Sequence, residues 1–142
     1  MMTAQGLDTI RTSFNALSPH VEVLGERFFA RLFILQPSLR ALLPRDHWQR
    51  SHDLIALLGM VVKNANRPEQ IESALMDFGA KAQRVGIMPQ HYGMARRALL
   101  DSMKDVLGAD WTTEVEGDWT DLLNSTMSVV VLGAGRSRAR AA

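Results

Sequence analysis

The sequence predicts an all-α domain, and three observations carry that reading. Apolar residues recur every three or four positions in one segment after another. Strict alternation of apolar and polar residues over a strand length is missing. Proline and glycine fall between the periodic stretches, where helices start and stop, and divide the chain into six main helices and one short one.

The first helix runs from Ala4 to Leu17, with Leu7, Ile10, Phe14 and Leu17 on one face, and Ser18-Pro19 ends it. The second covers Pro19 to Leu35. It carries Val21, Leu24, Phe28, Leu32 and Leu35 on one stripe with Phe29 and Phe33 beside it, an apolar surface wide enough for a central position. Gln36-Pro37 begins the short helix, which reaches Leu42, and Pro44-Arg45-Asp46 interrupts it. A longer helix then holds Leu54, Leu57, Leu58, Val61 and Val62.

Pro68 suits a first helical position, and from it Ile71, Leu75, Phe78, Ala82 and Val85 keep helical spacing up to Gly86, which places Ala82 on a buried face. Pro89 opens another helix, with Tyr92, Ala95, Leu99, Met103 and Val106 inward and Gly108 at its end. Thr113 and Glu116 have capping-box spacing for the last helix. That helix directs Val115, Trp119, Leu122, Thr126 and Val129 to the core and is expected to break at Gly133-Ala134-Gly135. The expected organisation is one domain over 1–132 and a flexible basic tail over 133–142.

Composition narrows the function classes. The 142 residues include no cysteine, which excludes disulfides, thiolate metal sites and cysteine nucleophiles and fits a cytoplasmic location. A net charge of +1 gives no general attraction to nucleic acid or anionic lipid, and no apolar run reaches membrane-spanning length. No glycine elbow, phosphate loop or metal-ligand spacing on one helical face occurs, so no catalytic role and no metal site built from such a cluster are expected. His20 and His47 lie near helix ends and read as exposed.

Several stretches are similar, in order and spacing, to the bacterial single-domain haemoglobins and to the globin part of flavohaemoglobins. They are Phe28-Phe29-Ala30-Arg31-Leu32-Phe33, Gln36 through Pro44, Phe78-Gly79-Ala80-Lys81-Ala82, Val85-Gly86-Ile87, His91-Tyr92 and Trp119. The resemblance extends from Leu7 to Leu132 and implies a globin fold, helices packed at steep angles around a haem pocket that serves oxygen or nitric oxide.

The resemblance also implies which positions have changed. Ala82 stands where the family carries the histidine that ligates haem iron, and a methyl group has no lone pair to give. No histidine lies between His52 and His91, so sliding the register restores no ligand. Leu43 replaces a phenylalanine that packs on the porphyrin, and Phe29 replaces a distal tyrosine. Arg50 occupies the distal glutamine position, and Asp53 replaces a basic residue that pairs with a haem propionate. Leu54 belongs to the same inherited pocket. Tyr92 keeps the proximal tyrosine, while its glutamate partner position falls at Ala134.

Two readings follow. The first is a haem-free binding or sensing module, its pocket closed or open to a small apolar ligand or to a protein partner. The second is a haem protein for oxygen or nitric oxide, ligated weakly by Met88, Tyr92 or His52. His91 reads as a helix-start residue, solvent-facing or capping, rather than a ligand.

Overall fold

A computed structural model describes residues 2–141, with side chains described for 2–136. Six α-helices account for most of it: α1 (Ala4–Leu17), α2 (Val21–Leu35), α3 (His47–Lys63), α4 (Glu72–Val85), α5 (Pro89–Leu107) and α6 (Thr113–Ala141). No strand occurs among the described residues. The expected short helix is a 3-10 segment, Pro37–Leu42.

The helix starts follow the sequence signals, with one refinement. Thr3 caps α1, its Oγ accepting the Gly6 N–H at 3.0 Å, and Asp46 caps α3 through the Trp48 N–H at 2.9 Å. At Pro19 and Pro68 the first turn is instead 3-10, Ser18–His20 and Pro68–Gln70, before α2 and α4 begin. Gly86 ends α4 with φ +107°, a conformation that favours glycine, and the Ile87 N–H bonds back to the Ala82 carbonyl at 2.9 Å. That reversal fixes Ala82 one turn from the helix end.

The α2 helix packs against both α3 and α5, which confirms its central position. Gly25 permits the first contact, because a Cβ there would collide with Ser51 of α3. On the α5 side Asp105 receives Arg31 at 2.6 Å and Arg27 at 3.2 Å, while Arg31 also donates to the buried Ser102 hydroxyl at 3.0 Å. These guanidiniums hold the Asp105 carboxyl below its ordinary pKa, the Arg31 hydrogen bond contributing most. Trp119, Ile10, Leu17, Leu24 and Met103 are fully buried in the core. The Trp119 indole donates to Ser13 Oγ at 2.7 Å, and Ser13 in turn donates to the Thr9 carbonyl at 2.7 Å.

The expected break after Leu132 does not occur: α6 continues through Gly133-Ala134-Gly135 to Ala141. The reason lies in another helix. A Cβ at Gly133 would overlap the Met76 carbonyl of α4, and one at Gly79 would overlap the Val130 carbonyl of α6. The two glycines let the α4 and α6 backbones touch, and that contact offsets glycine's helix cost of about 1 kcal/mol per residue. The charged side chains expected in the tail beyond Arg136 lie outside the described residues.

Candidate functional site

A cavity of about 450 Å³ opens between α2 and α3 on one side and α4, α5 and α6 on the other. Its wall is almost wholly hydrocarbon, with Phe28, Leu57, Leu58, Val61, Leu75 and Leu99 among its lining residues. Phe29, Leu43, Arg50, Asp53, Leu54, Ala82 and Tyr92 all line it as well, so seven of the eight expected pocket positions converge. Ala82 is buried and faces the space as its helical spacing predicts.

Met88 is the position that does not join this wall. It caps α5, and its sulfur accepts a hydrogen bond from Gln83 Nε2 at 3.4 Å. His52 is also turned elsewhere: its ring stacks on Trp48 at 3.9 Å and its Nδ1 bonds to the Trp48 carbonyl at 2.9 Å. His20 and His47 are exposed as expected.

His91 departs from one of its expectations and meets the other. It is buried and lines the cavity, yet it is a capping residue, Nδ1 accepting the Met88 N–H at 2.9 Å. A backbone N–H can only donate, so the neutral ring carries its proton on Nε2 and has no lone pair there for a metal. Sequence reasoning also missed Lys81, Thr126 and Met127 as lining residues. Lys81 flanks Ala82 and its charge reads as solvent-facing, while Thr126 lay on the recognised core face of α6.

Two polar groups in the wall lack partners. The Tyr92 hydroxyl is buried without a hydrogen bond, and burial pushes its pKa above the ordinary phenol value. Ala134 supplies no carboxylate to meet it, since this methyl side chain is fully buried beside the α4 and α6 contact. Arg50 is 5% exposed, its Nη2 donating to His47 Nδ1 at 2.8 Å while its Nε is buried with no partner. Asp53 sits exposed at the rim, accepting from Gln49 Nε2 at 2.7 Å.

The donor set decides how a haem would fit. The apolar walls suit a flat apolar macrocycle, whereas residue 82 offers no axial lone pair. With Met88 and His52 engaged away from the cavity and His91 protonated on Nε2, Tyr92 is the expected alternative ligand whose donor atom is free and buried in the wall.

Known proteins resemble this chain over most of its length. A flavohemoprotein of Rhizobium meliloti is 26% identical over 92% of this chain and 33% of its own, and one of Bacillus subtilis is 26% identical over 84% and 31%. The chain thus spans about a third of the length of these flavohemoproteins. An anaerobic nitrite reductase of Casuarina glauca is 24% identical over 84% of both chains. Among solved structures, an engineered carbene transferase from Rhodothermus marinus superposes with a TM-score of 0.85 at 22% identity, covering 98% of this chain and 97% of that one. A bacterial globin from Campylobacter jejuni superposes with a TM-score of 0.83 at 16% identity, covering 94% and 97%.

These matches correct one expectation. The missing hydrolase and phosphotransferase motifs argued against a catalytic role, yet similar proteins are named for reactions, nitrite reduction and carbene transfer. The inference failed because a cofactor can carry the chemistry, leaving the chain to bind and orient without a catalytic motif of its own. A model of the globin family matches residues 26–130, and with the helical fold around this cavity the chain belongs to the globin family.

Proposed function

We propose that the cavity holds haem and that the protein binds a diatomic gas, oxygen or nitric oxide, through it, with Tyr92 in place of the missing histidine. The observation that carries this reading is the cavity, an apolar slot lined by seven of the eight positions that the resemblance singled out. Burying a flat apolar ligand there stabilises a complex by about 25 cal/mol per Å² of apolar surface, so retention does not depend on ligation alone. Haem proteins among the relatives favour this reading, and none of them supports a haem-free sensing role.

Haem bound in this slot would supply an iron centre for the gas. The chain's own residues do the rest. Phe28, Leu54, Leu57 and Val61 exclude water from one side. Phe29 has no hydroxyl to donate to a bound gas, so stabilisation there falls to the neighbouring Arg50. Tyr92 offers a phenol oxygen, a known type of haem ligand. Burial favours the protonated phenol, so ligation releases a proton and haem affinity rises with pH.

The test is to titrate the purified protein with ferric haem and follow its visible spectrum. Saturation at one haem per chain, with a protein-ligated spectrum, is expected. A spectrum that stays that of free haem would overturn the reading.

A further inference from the structure

We propose that Arg50 is a binding site for a small planar oxyanion of the nitrite or carboxylate type, seated on the cavity side of its guanidinium. A buried cation needs compensation, and Arg50 has little. It is 5% exposed, no carboxylate lies within salt-bridge distance of it among the described residues, and its Nε has no hydrogen-bond partner. The His47 Nδ1 engages only Nη2, at 2.8 Å.

What surrounds the guanidinium defines the shape of the missing partner. The Phe29 and Phe33 rings lie 5.3 and 5.2 Å from its central carbon, giving cation–π contact. Those contacts supply no acceptor to the N–H groups. The buried Nε has no partner and Nη1 makes no hydrogen bond among the described residues, and arginine binds planar two-oxygen anions side-on in the plane of its fork.

Electrostatics chooses the side. Arg50 forms part of the wall between the apolar cavity and an outer cleft of about 650 Å³. Glu22, Glu26 and Asp46 line the outer cleft with Arg40 as the one further arginine, so carboxylates outnumber cations there and oppose an anion. Inside, Arg50 and Lys81 face a single carboxylate, Asp53, already engaged by Gln49. The same chemistry has two sources, a free oxyanion such as nitrite or the carboxylate of a bound porphyrin. The inference stands without haem, so a protein that takes up no haem still answers it.

The test uses the ¹⁵N-labelled, haem-free chain, with nitrite and formate as probes and chloride at equal ionic strength as control. The Arg50 Nε–H resonance, identified by its absence from Arg50→Lys, is expected to shift saturably with nitrite and formate and not with chloride. The melting temperature should rise with the same midpoint. Arg50→Gln should weaken that midpoint about 10-fold or more, the scale of a lost charge-assisted hydrogen bond. Arg50→Lys, which keeps the charge and loses the fork, should fall between. Absence of a saturable shift, or an equal rise in melting temperature for Arg50→Gln, overturns the proposal. Loading with haem or its dimethyl ester separates the sources. A nitrite response lost with haem and restored with the ester assigns the site to the porphyrin carboxylate. A response kept with both assigns it to the free oxyanion.

Discussion

Replacing Gly133 by alanine should destabilise the protein even though it improves helix propensity. In an unconstrained helix interior the change would gain about 1 kcal/mol. Here the new methyl group would overlap the Met76 carbonyl, and a carbonyl held in α4 cannot rotate aside as a side chain could. Relief requires α4 and α6 to separate, and overpacking of this kind costs about 1–3 kcal/mol. With a backbone obstacle the upper end applies, leaving a net loss of about 1–2 kcal/mol. For a chain of this length that lowers the melting temperature by about 3–8 °C. Gly117 provides the control, because it lies in the same helix and a methyl group added there would meet nothing within 4 Å. Gly117→Ala should raise the melting temperature by about 1–4 °C, from a gain of about 0.5–1 kcal/mol. Thermal unfolding followed by circular dichroism measures both variants. A rise for Gly133→Ala matching that of Gly117→Ala would refute the close contact that sets α4, and Ala82 with it.

Ser13→Ala removes the acceptor of the buried Trp119 indole N–H and should cost about 1–3 kcal/mol in a urea titration; an unchanged midpoint would contradict that bond. Asp105 has a lowered folded pKa, so its contribution is present above the ordinary aspartate range and lost as pH falls through the depressed value. Asp105→Asn should therefore be less stable than the parent near neutral pH and lose less on acidification, as acid-series melting curves would report. Tyr92→Phe removes a buried hydroxyl without a partner, so the haem-free protein should be unchanged or more stable by up to about 1 kcal/mol; marked destabilisation would reveal a partner for that hydroxyl.

The helix framework was legible because its signals are local. Pro37, Pro68 and Pro89 mark starts, Gly86 marks a stop, and four- and three-residue spacing alone turns Ala82 inward. What depended on a second helix was not legible. Gly133-Ala134-Gly135 looks like a break until Met76 is found against it. His91 carries a helix-start signature, and only the packing around it shows the ring enclosed in a cavity wall. Arg50 could be assigned to the pocket by resemblance, yet its nearly complete burial was invisible, because a charged residue on a helix ordinarily faces water. That the alanine at residue 82 has no lone pair to offer was readable at once, whereas the unpartnered hydroxyl of Tyr92 required knowing that no side chain reaches it.

The most direct test of the account compares ferric haem complexes of the parent protein and Tyr92→Phe by visible spectroscopy and by haem affinity. The parent is expected to bind one haem with a phenolate-ligated spectrum and rising affinity at higher pH, and Tyr92→Phe to lose that spectrum and bind about 10-fold or more weakly. Identical spectra and affinities for the two proteins would contradict it.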